Sequence, residues 1–167
     1  MEIKGAIFED FVNYKLPSMY IAFPHCSFKC DKENGYDLCQ NARLAKEKSM
    51  YVEKEELIER YLKNDLTKAI VFGGLEPFDD SLSVIPFIDC LRRQYQCNDP
   101  VVIYTGYTEE EVMAFPCWED IKKYSNIIIK FGRYRPSQKP HFDEVLGVKL
   151  CSDNQYAKEF NHEDTPM

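Results

Sequence analysis

Four short apolar runs constrain this chain more than any other feature: MYIAF at 19–23, AIVF at 69–72, VVIY at 101–104 and III at 127–129. Each is rich in β-branched or aromatic residues and lacks polar alternation, as expected of strands covered on both faces of a parallel sheet. Amphipathic stretches lie between them. Residues 52–62 put Leu57, Ile58, Tyr61 and Leu62 on one helical side, with Glu and Lys elsewhere. A second helix is expected through Val84, Phe87, Ile88 and Leu91, capped by Asp80 or Ser81, with Pro86 delaying its first turn. Thr108 and Glu111 have the spacing of a capping box. Strand–helix alternation predicts an α/β fold. A closed eight-stranded barrel takes ~250 residues, so 167 residues predict a partial, open (β/α) barrel instead. No repeat or linker interrupts the pattern, so one domain over 1–167 is expected, with a polar tail from Ser152 to Met167 that frays at its end.

Charge narrows the function classes. Twenty-one Lys and Arg against 28 Asp and Glu give a net charge of −7. Without a basic block, phosphate neutralisation has nothing to work with, and nucleic-acid binding is not expected. No apolar stretch approaches the ~20 residues of a membrane span. The first residues lack the charged-then-apolar layout of a signal peptide. A cytoplasmic protein with no membrane contact is the expectation.

Seven cysteines are many for such a chain, and three of them, Cys26, Cys30 and Cys39, fall within fourteen residues directly after the first strand. In a reducing compartment close cysteines point to metal or redox chemistry rather than disulfides. The C-terminal ends of parallel strands are also where ligands bind. A structural zinc site wants four ligands, whereas a three-cysteine [4Fe–4S] cluster leaves one iron open. Spacing alone leaves cluster, zinc and idle thiols as comparable readings. Cys90 reads as a small hydrophobe in a helix, Cys97 and Cys117 as near-loop residues, and none of these or Cys151 forms a second spaced pair. His25, His141 and His162 read as ordinary polar residues.

The second strand ends in Gly73-Gly74-Leu75-Glu76-Pro77. A Gly-Gly pair there permits φ > 0 and close backbone approach to a ligand, and the Glu76 carboxylate would suit a ligand ammonium. With the cysteines, this arrangement resembles the radical S-adenosylmethionine enzymes, and among them the small activating proteins of anaerobic ribonucleotide reductase. Cys26, Cys30 and Cys39 stand where that family has CxxxCxxC, and Asn41 matches an Asn after its third cysteine. The glycine turn is similar to the family's Gly-Gly-Glu-Pro. Tyr104-Thr105-Gly106-Tyr107, Gly132-Arg133-Tyr134 and Ser152-Asp153-Asn154-Gln155 resemble three later family segments, in register. Three departures stand out: six extra residues between Cys30 and Cys39, the additional Leu75, and Phe131 where the family has Asp.

The resemblance implies a [4Fe–4S] cluster on Cys26, Cys30 and Cys39, with S-adenosylmethionine chelating the open iron. Gly73, Gly74 and Glu76 would meet its methionine amino group, Arg133 its carboxylate and Thr105 its ribose. Adenine packing would fall to Leu38 or Tyr36. The implied activity is reductive cleavage of S-adenosylmethionine and formation of a glycyl radical on the reductase large subunit. The electron would come from a reduced flavodoxin- or ferredoxin-type donor. Two rivals remain at this stage: a radical enzyme acting on a small molecule or another glycyl-radical enzyme, and a non-enzymatic zinc-binding interaction module.

Overall fold

The computed structural model describes residues 1–35 and 37–162. In chain order the strands are β1 (Glu2–Ile3), β2 (Gly5–Asp10), β3 (Ser18–Phe23), β4 (Met50–Tyr51), β5 (Ala69–Gly74), β6 (Val101–Tyr104), β7 (Ile127–Phe131), β8 (His141–Asp143), β9 (Val148–Leu150) and β10 (Tyr156–Phe160). The helices are α1 (Lys29–Asn34), α2 (Ala42–Lys46), α3 (Lys54–Leu62), α4 (Ser81–Asp89), α5 (Glu109–Ala114) and α6 (Trp118–Ile121). Six strands form one sheet in the order β10-β7-β6-β5-β3-β2. The four apolar runs are its inner strands and pair in parallel. Both outer strands run antiparallel. The sheet is mixed and open, with β2 and β10 as its two edges among the described residues.

Side-chain alternation divides the sheet into two faces. Met19, Ile21, Phe23, Ile70, Phe72, Ile103 and Phe131 point toward the helices and join Leu57, Ile58, Tyr61, Phe87 and Ile88 in one buried cluster. The opposite face carries Val71, Val102 and Ile128, covered by Tyr14 and by Leu146 and Leu150 around the β8–β9 hairpin. That second face also carries Tyr20, beside Val71, and nearer the C-terminal strand ends the paired Tyr104 and Lys130.

Three local expectations are corrected. Leu62 is 43% exposed, because α3 ends there and its apolar stripe stops at Tyr61. Helix α4 begins at Ser81 despite Pro86. The Leu82 carbonyl, whose partner Pro86 withholds, belongs to the helix side on which both residues are exposed. Asp80 is its N-terminal residue, yet makes no capping hydrogen bond. Tyr156–Phe160 pairs along the full length of β7, and the end of the polar tail, beyond residue 162, lies outside the described residues. No described helix is long and apolar enough to cross a membrane.

Candidate metal and ligand site

The loop after β3 is shaped by its own polar groups. Helix α1 places Cys30 in its first turn and ends at Gly35, whose φ of 73° is the left-handed conformation a helix C-terminus favours. Asp31 then draws the chain back. Its Oδ1 accepts the N–H groups of Leu38 at 2.7 Å and Cys39 at 2.9 Å. One carboxylate therefore closes the six-residue insertion and returns Cys39 toward Cys30. Asn41 completes the anchorage, donating to the Gly74 carbonyl at 2.6 Å. At the other end, Ser27 N–H donates to Asp79 Oδ2 at 2.7 Å, and the Tyr107 hydroxyl donates to the same carboxylate.

Cys26, Cys30 and Cys39 are free, half-buried and face one cavity of about 310 Å³. Burial pushes the Cys26 thiol up to about 12; the Phe28 N–H pulls against it, and the charges of Glu76, Asp79 and Cys30 add smaller upward pushes. Burial likewise raises Cys30 and Cys39. Surroundings that disfavour thiolates on their own hold them once a cationic metal supplies the charge. Among the described residues, no three His, Cys, Asp or Glu side chains converge on a single ion.

The remaining sequence-derived residues divide between the cavity and the frame that supports it. Leu38 lines the cavity; Tyr36 lies outside the described residues. Gly74 lines it as well, but its glycine is dictated by the protein itself. At φ 82°, a Cβ would sit 2.8 Å from the Ala22 Cα. A Cβ at Gly73 would meet the Tyr20 hydroxyl at 2.7 Å. The close approach that the glycine pair permits is to β3.

Glu76 also faces the cavity, although its oxygens are taken by internal donors. Oε1 accepts from the Thr105 hydroxyl at 2.7 Å and from Phe78 N–H at 3.1 Å, and Oε2 accepts from Gly106 N–H at 2.9 Å. Burial raises its carboxyl to about 7 against those donors. Glu76 and Thr105 thus brace the ends of β5 and β6 together, and Leu75 N–H and Glu76 N–H continue the pairing to Phe23 and His25.

Arg133 does not line the main cavity. It is 8% exposed, donates to Glu111 Oε1 at 2.8 Å and lies 3.4 Å from Glu33. Its partner Glu111 is the same residue that closes the Thr108 capping box. In the positions flanking Cys26 and Cys30, Arg133 contributes to a small side crevice.

Two lysines line the cavity, the exposed Lys149 and the buried Lys130, and sequence reasoning passed over the second. Lys130 is 7% exposed, and its Nζ donates to the Gly132 carbonyl at 2.9 Å and the Thr105 carbonyl at 3.4 Å. Burial lowers it to about 8. Strand parity was the available signal, since Lys130 falls on the face of Ile128. Further cavity residues were missed, among them Tyr20 and Tyr104, along with a fourth cysteine, Cys151.

The two later motifs form one structure. Gly132 has φ 99°, and a Cβ there would meet the Asn154 carbonyl at 3.1 Å. Asn154 donates to the Arg133 carbonyl at 2.7 Å, and Gln155 Nε2 donates to the Gly132 carbonyl at 3.2 Å.

Across residues 18–155, from β3 through this turn, the sequence matches the family described as the 4Fe-4S single cluster domain. The chain belongs to that family. The match contains all three loop cysteines and both glycine turns. No curated protein and no solved structure matches the chain significantly.

Proposed function

We propose that this 4Fe-4S domain is a radical S-adenosylmethionine activating enzyme that installs a glycyl radical on anaerobic ribonucleotide reductase. One observation carries the reading: three thiols of a single loop share their cavity with Gly74, Leu38 and a buried Lys130, so the space beside the cluster is equipped for an organic ligand. Cys26, Cys30 and Cys39 hold the cluster and leave one iron for the amino and carboxylate groups of S-adenosylmethionine. When bound, the cluster supplies the electron that cleaves the S–C5′ bond. The protein orients the ligand and shields it from water. Lys130 replaces Arg133 as the cation for an anionic ligand group, because Arg133 is already neutralised by two glutamates. The inner parallel strands β3, β5, β6 and β7 serve as the partial, open (β/α) barrel of this enzyme class. A reduced flavodoxin- or ferredoxin-type protein in the cytoplasm is the proposed electron source.

The test begins with anaerobic reconstitution. Single Cys→Ala changes at 26, 30 or 39 should each abolish iron retention and visible absorption, whereas Cys90→Ala keeps both. Reduced protein, S-adenosylmethionine and the cognate large subunit are then mixed and examined by electron paramagnetic resonance. A glycyl radical doublet on the large subunit is expected. If 5′-deoxyadenosine forms without a protein radical, a small-molecule substrate replaces the reductase. Loss of the cluster from none of the three variants removes the assignment altogether.

A further inference from the structure

The backbone is strained at one point between the cluster cysteines. Phe28 stands at φ 52° and ψ 43°, in the left-handed region, just before α1 begins. A bulky residue is disfavoured there and stays only where its surroundings dictate the conformation. Contacts on both sides do so. Upstream, Ser27 N–H donates to Asp79 Oδ2 at 2.7 Å. Ser27 Oγ lies 3.3 Å from the Tyr107 hydroxyl, which itself donates to the other oxygen of Asp79. Downstream, the Phe28 carbonyl accepts Lys32 N–H at 3.1 Å and so joins the first turn of α1.

The clamp is anchored outside the loop that it holds. Asp79 belongs to the turn Pro77–Asp80 that follows β5, and its own N–H donates to the Glu76 carbonyl at 3.1 Å. Tyr107 follows β6, is 6% exposed and packs edge-on against Phe115 at 5.0 Å between ring centres. Two neighbouring strand ends therefore grip Ser27 by its backbone and its side chain. The peptide that joins Ser27 to Phe28 is left with one orientation, and its N–H donates to Cys26 Sγ at 3.2 Å. The strain at Phe28 thus ends in a hydrogen bond to a cysteine sulfur.

We propose that Asp79 is a positioning residue that acts through Ser27 and Phe28 to set the reduction potential of the iron–sulfur cluster. The inference rests on the assignment of that cluster to Cys26, Cys30 and Cys39. Reduction adds one electron, taken from the protein donor, and makes or breaks no bond. Part of the added charge spreads onto the cysteine sulfurs, where an N–H donor stabilises it. Hydrogen bonds to the sulfurs are among the determinants of cluster potential. The clamp raises the potential and so eases reduction by the donor, while the negative charge of Asp79 works in the other direction.

Two substitutions separate these contributions. Asp79→Asn keeps an oxygen for Ser27 N–H, and Asp79→Ala removes it. Both lose the charge, so the difference between them reports the clamp. Each protein is loaded with its cluster anaerobically and titrated at poised potentials by electron paramagnetic resonance. The Ala variant should have a lower midpoint potential than the Asn variant. Electron–nuclear double resonance on the reduced clusters, in H2O and D2O, should show one exchangeable proton coupling fewer in the Ala variant. Glycine adopts the left-handed region without penalty. Adding Phe28→Gly to Asp79→Ala should therefore recover both the coupling and the potential of the Asn variant. Equal potentials in the Asn and Ala variants, unchanged couplings, or a double variant that recovers neither would each overturn the proposal. If Asp79→Ala loads no cluster, the double variant takes its place: a potential equal to that of Asp79→Asn supports the clamp, and failure to load overturns its tuning role. A wild-type protein that holds no cluster overturns the cysteine assignment itself, and this proposal with it.

Discussion

On the helix side of the sheet, Phe23, Phe72 and Ile103 are 0% exposed and belong to one continuous apolar cluster. On the other side, at positions of opposite parity on β3, β6 and β7, stand Tyr20, Tyr104 and the buried ammonium of Lys130. The backbone is shared, so the difference lies in side-chain parity alone. The first face stabilises the protein by removing hydrocarbon from water. The second gives up some of that stabilisation, because it buries a charge and leaves a cavity open. Stability and ligand chemistry are thus assigned to opposite sides of a sheet one residue thick.

The largest effect should come from the helix face. Phe72→Ala is expected to cost about 3–5 kcal/mol in chemical denaturation. A loss below about 1.5 kcal/mol would mean that the helix face is not the principal core. Next is Gly74→Val, at the border of the two faces. The added side chain meets the Ala22 backbone and is held at φ 82°, so a loss of about 3 kcal/mol is expected. A fully stable variant would show that β3 moves aside freely.

Lys130→Met probes the cavity face, and its effect has the opposite sign. Lys130 in the folded protein releases its proton near 8, below its unfolded value of 10.5. Between those values the unfolded chain binds more protons, so wild-type stability should rise as pH climbs from 8 toward 10.5. Below 8 the full cost of the buried charge is present. The variant should therefore be more stable at pH 7 by about 2 kcal/mol and lack that rise. Parallel pH profiles for the two proteins would show that Lys130 is not a buried charge. Its affinity for S-adenosylmethionine, by calorimetry on the cluster-loaded protein, should nevertheless fall.

The smallest effect is expected at Glu111, beyond the rim of both faces. Hydrogen bonding to Arg133 lowers its carboxyl to about 2. Its contribution is present above the usual carboxylate range and is lost as pH falls through 2. The side chain is 34% exposed, so Glu111→Gln should cost only about 0.5–1 kcal/mol at neutral pH. A loss above about 2 kcal/mol would make Arg133 a buried charge that depends on this one partner.

Much of the helix face was legible in the sequence. Runs such as AIVF and VVIY read as strands because all their residues but the half-buried Tyr104 are buried, on one face or the other. The outer strand Tyr156–Phe160 was not legible, because only Ala157 is buried and its antiparallel pairing to β7 is long-range. The cysteine loop was visible as spacing, and its motifs were visible as segments. What stayed hidden was which polar groups face inward. Arg133 and Lys130 are both cations at the end of β7, and only packing shows that the first is ion-paired to glutamates while the second donates to backbone carbonyls. Glu76 was likewise visible as a residue, whereas its three internal donors come from positions up to 30 residues away.

Asp31 has a consequence for how this loop can vary between related chains. Its carboxylate, rather than the number of intervening residues, returns Cys39 to the cavity. Doubling a loop's length adds only about 0.6 kcal/mol to its closure. Insertions or deletions between Asp31 and Leu38 are therefore nearly neutral while the carboxylate is kept, and loss of that carboxylate leaves the third thiol without its tether.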